Sequence, residues 1–252
     1  MIKIVIDTKS GDNGPAVFIR GAAQALHKFA DISYMLVGDE DVIARECTAL
    51  DMPMDRVEIL NAPGEITNFD NPAEALFRKA DSSMLMALDA MSKREDLFGL
   101  LCAGNTGILL TGAMRYLSGK ERVRPALAAV LPAQTGGFTC LVDTGATIDC
   151  TPAMLHHFAR LGSGFMRDMY GIEHPKIGLL SNGAESSKGN KLVKETYPIL
   201  AADEALHFVG NIEGHKALSG ECDVLVCDGC FSFLVYQISK PNRYPVTIYD
   251  TE

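Results

Sequence analysis

Short apolar runs alternate with longer amphipathic segments along most of this chain. The runs are four to six residues long and rich in Val, Ile and Leu, which is typical of buried strands. They occupy residues 2–6, 32–37, 57–61, 98–102, 126–131, 139–142, 176–180, 206–209 and 224–227. The pattern predicts nine strands separated, for the most part, by helices.

Helix start signals support this alternation. Pro15 precedes an apolar periodic segment at 16–29, and proline suits the first turn of a helix. Asn71 followed by a proline and a glutamate predicts a capped helix start, and Thr151 before Pro152 predicts another. Alternating strands and helices indicate an α/β protein, a three-layer α/β/α sandwich with a mostly parallel sheet. The exception is segment 126–142, for which we predict a small hairpin with its turn at 132–137.

Three polar segments follow predicted strands and precede predicted helices, at 7–15, 104–107 and 182–190. Glycines there let a ligand approach the backbone, and a helix N-terminus favours an anion. Such strand ends are where open α/β sheets bind ligands. We therefore predict one polar site built from all three, although each segment alone also fits an ordinary surface loop.

Individual side chains suggest chemistry for this site. Asn105 is a candidate donor to a carbonyl oxygen and Thr106 to a phosphate, while Lys188 would neutralise phosphate with Glu185 holding it. Other polar positions beside apolar runs also have structural interpretations as turns or helix starts. They are Ser82, Ser83, Asp143 and Asn211.

Composition narrows the class of protein. The chain has 252 residues, 47% hydrophobic and 22% charged, with a formal net charge of −9. That charge disfavours nonspecific binding to nucleic acid. No apolar run approaches the roughly 20 residues of a membrane span, and we expect a cytoplasmic protein. An acidic partner would need a basic patch, for which the candidates are Arg115, Lys120, Arg122 and Arg124; a solvated helix end and loop is the simpler interpretation.

No side chain stands out as a nucleophile. Cys227 and Cys230 form a C-x-x-C pair, but no second pair accompanies it as a zinc site would require, so we interpret it as a strand-end coincidence. The other cysteines fit reduced core residues. The chain has no Gly-x-Ser-x-Gly elbow, and its histidines are scattered. This favours chemistry by positioning and electrostatics.

Taken in order, a series of short motifs resembles the bacterial phosphate acyltransferase family. The motifs are Gly11-Asp12-x-x-Pro15, Val37-Gly38-Asp39-Glu40, Pro72-Ala-Glu-Ala75, Asp81-Ser-Ser-Met84, Ala103-Gly-Asn-Thr-Gly107, Arg124-Pro-Ala-Leu-Ala-Ala-Val-Leu-Pro132, Asp149-Cys150, Lys188-Gly-Asn190, Gly210-Asn-Ile-Glu-Gly214 and Cys227-Asp-Gly229.

The resemblance implies transfer of a long-chain acyl group from acyl carrier protein to inorganic phosphate, giving acyl phosphate for phospholipid synthesis. It also implies an isocitrate/isopropylmalate-dehydrogenase-like fold, a homodimer, peripheral membrane contact, and no organic cofactor or metal.

Phosphate is itself the nucleophile in that reaction. We therefore expect Lys188, Asn190 and the Gly104–Gly107 loop to bind phosphate, and Asn105 or Asn182 to donate to the thioester oxygen. Asp12 and Asp143 would orient these donors. The remaining predicted substrate-binding residues are Gly11, Gly104, Thr106, Gly107, Glu185, Ser82, Ser83 and Asn211.

The chain departs from the family pattern in its first loop, Asp7-Thr-Lys-Ser-Gly11, and most clearly after residue 229. We predict an α/β domain at 1–229, C-terminally incomplete, and a divergent tail at 230–252. One alternative is an inactive truncated homologue that binds acyl carrier protein or a full-length paralogue. Another is a different enzyme on the same fold, such as a short-chain phosphate acyltransferase or a decarboxylating dehydrogenase.

Overall fold

A computed structural model describes residues 1–118 and 124–229 and the backbone of one further strand at 246–248. The chain folds into two compact units, Met1–Arg122 and Val123–Asp250, here called the N-terminal and C-terminal units. The predicted division at residue 229 stays a prediction. None of the helices in the described ranges has the length and apolarity needed to cross a membrane.

The N-terminal unit contains a parallel four-stranded sheet in the order β3-β2-β1-β4. Its strands are β1 (Ile2–Asp7), β2 (Ile32–Gly38), β3 (Val57–Asn61) and β4 (Leu97–Leu101). Its helices are α1 (Pro15–Lys28), α2 (Glu40–Ala49), α3 (Pro72–Arg78), α4 (Ser83–Lys93) and α5 (Thr106–Tyr116).

Strand alternation explains how both faces of this sheet are covered. Ile6 and Leu36 pack with α1 and α2 on one face, whereas Val5 and Met35 pack with α4 on the other. The predicted Asn71 cap is confirmed, because its Oδ1 accepts the backbone N–H groups of the first turn of α3 at 2.9 and 3.3 Å.

The C-terminal unit contains a six-stranded sheet in the order β10-β5-β6-β9-β7-β8. Its elements are β5 (Ala126–Pro132), β6 (Phe138–Val142), α6 (Pro152–Tyr170), β7 (Lys176–Ser181), α7 (Lys191–Ala202), β8 (His207–Glu213), β9 (Val224–Val226) and β10 (Val246–Ile248). Strands β6, β9, β7 and β8 pair in parallel, while β5 and β6 form the predicted antiparallel hairpin.

Helices α6 and α7 cover one face of this second sheet, where Phe158 and Leu200 meet Val142, Leu179 and Val224. Segment 214–222 covers the other face through Ala217 and Cys222. The nine predicted strands are confirmed. Eight agree to within one residue at each end, while β8 extends four residues beyond the predicted end at 209. Helix α7 contains Pro198, which cannot donate a helical hydrogen bond.

Gly162 sets the distance between α6 and the sheet. A Cβ added there would lie 2.5 Å from Val224 Cγ1 and 3.3 Å from Val142 Cγ1. Gly164 lies on the same helix, and a Cβ there would meet nothing closer than Arg167 Nη2 at 3.9 Å. The two glycines therefore form a matched pair for testing this packing.

We expect Gly162→Ala to lower the free energy of unfolding by about 1–3 kcal/mol, because overpacking against the sheet outweighs the gain in helix propensity. Gly164→Ala should raise it by up to about 1 kcal/mol, since only the propensity changes. Urea unfolding of both variants measures this. Equal effects in the two variants would contradict the packing argument.

Candidate active site

In the N-terminal unit, Asp7 joins the loops that follow β1 and β4. Its carboxylate is buried; Oδ1 accepts the N–H groups of Lys9 and Ser10 at 3.1 and 3.2 Å, and Oδ2 accepts from the Cys102 thiol at 3.3 Å. Because β1 and β4 are parallel neighbours, both loops leave the same edge of the sheet. Asp7 therefore fixes the backbone of the first predicted polar segment at Lys9 and Ser10.

Glycine is required at position 104 by close packing. A Cβ there would lie 2.5 Å from Ser10 Cβ and 2.6 Å from Met84 Cε. Gly107 is less confined, with Pro72 Cγ at 3.2 Å from such an atom. Gly11 has φ of +155° and faces the Phe18 ring. These contacts place the first and second polar segments side by side.

Asn105 begins α5 and also contacts the loop at 62–71. Its Oδ1 accepts the Ile108 N–H at 3.1 Å, and its Nδ2 lies 3.5 and 3.4 Å from the carbonyls of Thr67 and Asn68. The Asn68 side chain in turn donates to Asp12 Oδ1 at 3.4 Å. The structure thus brings Asp12 and Asn105 together around Asn68, through long, weak hydrogen bonds.

Three further predicted residues lie at helix starts in this unit. Thr106 is the exposed first residue of α5. Ser82 and Ser83 lie at the start of α4 and are fully buried, and the hydroxyls of both have no hydrogen-bond partner among the described residues. Their burial separates these two serines from solvent in this conformation.

Asp70 holds the 62–71 loop that Asn105 contacts. Its Oδ2 accepts from Lys79 Nζ at 2.7 Å and from the backbone and hydroxyl of Thr67 at 2.7 and 3.0 Å. The hydrogen bond from Lys79, with help from Thr67, lowers the pKa of the Asp70 carboxyl to about 2. No motif or pattern in the sequence pointed to a function for Asp70.

In the C-terminal unit, Asp143 is a buried scaffold carboxylate. Oδ1 accepts the N–H groups of Leu127 and Ala146 at 3.0 and 3.1 Å, and Oδ2 accepts that of Thr147 at 2.8 Å. Burial raises the pKa of Asp143, although its backbone donors act in the opposite direction. The carboxylate fixes the turn after β6; its predicted role in orienting substrate donors stays a prediction.

Three amide side chains shape the 182–190 loop after β7. Asn182 Oδ1 accepts the Gly189 N–H at 2.9 Å, Asn190 Oδ1 accepts the Val193 N–H at 2.9 Å, and Asn211 Nδ2 donates to the Glu185 carbonyl at 2.8 Å. Asn190 is thereby the N-cap of α7. These bonds leave the first two N–H groups of α7 without helical partners.

Lys188 is exposed in this loop, beside Glu185. A Cβ added at Gly183 would lie 2.7 Å from Lys188 Cγ and 3.1 Å from Glu185 Oε2, so the glycine admits both side chains. Lys188 has no ion pair within 4.0 Å among the described residues. Lys188 lies three residues before the first residue of α7, and its side chain is exposed to solvent.

Ser181, the last residue of β7, was not among the predicted site residues. Its hydroxyl is buried and has no hydrogen-bond partner within the described ranges. A Cβ at Gly189 would lie 3.2 Å from Ser181 Oγ, which places this hydroxyl next to the start of α7. Ser181 also lines a cavity of about 130 Å³ together with Asn182, Gly189 and Asn190. The residue ends an apolar strand, and that position alone gave no chemical signal.

The cysteines and the candidate basic patch add little to the site. Burial raises the pKa of the Cys102 thiol well above its ordinary value and that of Cys150 to about 11, so neither supplies a thiolate near neutral pH. Arg115 stacks over the Phe77 ring at 5.1 Å. Lys120, Arg122 and Cys230 lie outside the described residues.

Comparison with known sequences gives consistent matches. A family described as "Fatty acid synthesis protein" matches residues 2–240. A phosphate acyltransferase of Halothermothrix orenii is 38% identical over 241 residues, which are 95% of this chain and 72% of that relative. A phosphate acyltransferase of Streptococcus pneumoniae is 40% identical over 230 residues, 91% of this chain and 68% of that relative.

Solved structures match the fold. A phosphotransacetylase from Streptococcus pyogenes superposes with a TM-score of 0.72 at 16% identity, covering 98% of this chain and 85% of that chain. The EutD phosphotransacetylase from Staphylococcus aureus gives 0.65 at 16% identity, covering 94% and 81%. A 4-hydroxythreonine-4-phosphate dehydrogenase from Salmonella typhimurium gives 0.61 at 12% identity, covering 98% and 88%. The predicted three-layer α/β/α fold is confirmed.

We expect Asp143→Ala to lower the free energy of unfolding by about 2–4 kcal/mol, because three backbone N–H groups lose their acceptor inside the protein. Asp149→Ala, at an exposed position a few residues along, should change it by less than about 0.5 kcal/mol. Chemical denaturation measures both. A wild-type stability for Asp143→Ala would show that the carboxylate does not hold the turn.

The Asp70 carboxyl should titrate near pH 2 when followed by its ¹³C chemical shift. A lowered pKa means that its stabilising contacts are complete above the unfolded value of about 3.9 and are lost as the pH falls through about 2. Lys79→Met should move the midpoint up towards about 3.9. A midpoint that this variant leaves unchanged would exclude Lys79 as the cause.

Proposed function

The chain belongs to the phosphate acyltransferase family, and we propose that it moves the acyl group of an acyl carrier protein thioester to inorganic phosphate. The chain is an enzyme of the class that transfers acyl groups to phosphate. We further propose that the donor is acyl carrier protein and that the product is acyl phosphate. This product would serve phospholipid synthesis.

The observation that carries the proposal is a group of hydrogen-bond donors around the start of α7. They are the N–H groups of its first two residues, the buried Ser181 hydroxyl, which has no hydrogen-bond partner in the described part of the chain, and the exposed Lys188 ammonium. Helix N-termini and lysine are common phosphate ligands, since both complement its negative charge. The predicted ion pair between Glu185 and Lys188 is not formed in the structure; instead the Lys188 backbone N–H donates to the Glu185 carbonyl at 3.0 Å and fixes the turn that carries the lysine.

The proposed reaction needs no nucleophile from the protein. An oxygen of hydrogen phosphate attacks the thioester carbonyl carbon and forms the new C–O bond. The C–S bond then breaks, and the carrier thiolate leaves with the proton that the phosphate supplied. The protein would contribute by holding a dianion beside the thioester and by stabilising the oxyanion of the tetrahedral intermediate.

Two asparagines are candidate donors to that oxyanion. Asn182 uses its Oδ1 within the loop, and its Nδ2 has no hydrogen-bond partner among the described residues. Asn105 uses its Nδ2 in two long hydrogen bonds to backbone carbonyls. We propose Asn182 as the donor, because using it breaks no existing bond, and retain Asn105 as the second candidate.

The remaining predicted residues keep binding roles in this proposal. Asn190 and Asn211 shape the phosphate loop, and the glycines at 11, 104 and 107 allow close approach to the backbone at Asp12 and Thr106. Ser82 and Ser83 need a local opening before they can contact a substrate. We also propose a cytoplasmic homodimer that passes its product on at the membrane surface, which rests on the family resemblance alone.

We expect Lys188→Ala to raise the phosphate KM at least about tenfold and to lower kcat, because a charge-assisted contact worth about 1.4 kcal/mol or more is lost. Lys188→Arg should restore part of both. Phosphate-dependent release of free thiol from palmitoyl-acyl carrier protein measures the reaction.

Lys194→Ala is the matched control, since Lys194 is an exposed lysine at the fourth position of α7. Its phosphate KM should equal that of the wild type. An unchanged phosphate KM in Lys188→Ala would remove Lys188 from the site. No phosphate-dependent release by the wild type would instead support the inactive homologue that only binds the carrier protein.

A further inference from the structure

An apolar cavity adjoins the group of donors around the start of α7 within the C-terminal unit. It measures about 130 Å³ and lies between β7, α6 and α7. Its polar lining comes from residues around the start of α7 and the end of β9, namely Ser181, Asn182, Asn190 and Asp228. Its apolar lining comes from buried and half-buried side chains, namely Leu155, Leu179, Leu180, Leu192, Val193 and Cys227.

This lining suits a ligand with an anionic end and an apolar chain in one molecule. The free N–H groups of α7 and the Ser181 hydroxyl favour the anion, whereas the leucines favour hydrocarbon over water. An acyl phosphate has this composition, with its carbonyl between the two parts. We propose that the cavity receives the first few carbons of the acyl chain, those next to the carbonyl, and thereby sets the tolerance for branching there.

The proposal rests on the proposed function and deepens it by naming a substrate feature. The cavity of about 130 Å³ is similar in size to a cavity of roughly 150 Å³ that holds one benzene ring, so it has room for about six carbon atoms. The rest of a long chain must then lie beyond it. The cavity therefore makes kcat/KM depend on branching at the carbons next to the carbonyl, and only weakly on the length of the rest of the acyl chain.

Leu192 is the position best suited to testing this inference. It is the least buried of the apolar residues that line the cavity, so substitutions there disturb the core least. It lies in the first turn of α7, where its backbone N–H remains after any substitution except proline. A change of its side chain therefore alters the cavity and leaves the anion-binding backbone in place.

The experiment compares palmitoyl-acyl carrier protein with its 2-methylpalmitoyl counterpart. For the wild type we expect kcat/KM about tenfold lower for the branched donor, the effect of one misplaced methyl group in a tight apolar pocket. Leu192→Ala should narrow this ratio several-fold. Leu192→Phe should raise the KM of the straight donor by about tenfold, with the KM of phosphate unchanged.

Ile199→Ala is the matched control, because Ile199 is an apolar residue of α7 outside the cavity. It should keep the wild-type preference. If the wild type transfers acyl groups to phosphate but the Leu192 variants keep the wild-type ratio of kcat/KM for the two donors, or change the phosphate KM as much as the donor KM, the cavity assignment is wrong and the proposed function stands.

A second measurement works without turnover. Octanoate, whose carboxylate and chain mimic the acyl end of the product, should shift the ¹³C-methyl resonances of Leu155, Leu192 and Val193 in the wild-type protein. Leu192→Phe should abolish the shifts of Leu155 and Val193 at the same octanoate concentration. If octanoate leaves the three resonances unchanged, the inference fails whether or not the enzyme is active.

Discussion

In a parallel sheet every strand delivers its carboxyl end to the same edge, and this constraint determines where the loops of this chain can meet a ligand. Strands β1 to β4 obey it in the N-terminal unit, and β6 to β9 obey it in the C-terminal unit. The polar segments lie at these edges because apolar side chains on both faces leave no other surface near the strand ends. Within each unit, the parallel topology therefore brings the polar loops to one edge of the sheet, whatever side chains they carry.

Side-chain hydrogen bonds to backbone then give these loops their shape. Asp7, Asp143 and Asn182 each bind backbone N–H groups within or beside their own loop. Such residues satisfy polar groups that would otherwise be costly in a partly buried place. Asp143 and Asn182 are also predicted ligand-binding residues, and the two roles are compatible, since a fixed loop offers its remaining donors in a fixed geometry.

The sequence predicted most of the fold because its signals were local. Proline at the start of α1, the Asn71 cap of α3 and the alternation of apolar runs each act within a few residues. Ser181 and the cavity beside α7 could not be predicted in this way. They arise where β7, α6 and α7 pack together, and a serine at the end of an apolar run looks like any strand end. The hydrogen bond between Asp70 and Lys79 could not be predicted either, because Lys79 lies outside the 62–71 loop that Asn105 contacts.

Pro198 removes one hydrogen bond from the continuous helix α7, because the carbonyl of residue 194 loses its helical donor, and only seven residues of the helix, 191–197, precede this proline. A helical segment this short gains little from cooperative propagation. The turn that presents the proposed anion-binding N–H groups therefore depends on its cap and on the amides beneath it. Slow amide hydrogen exchange at that turn would show that the hydrogen bonds accepted by Asn190 and Asn182 are formed. The half of the helix after Pro198 could open without breaking these two bonds.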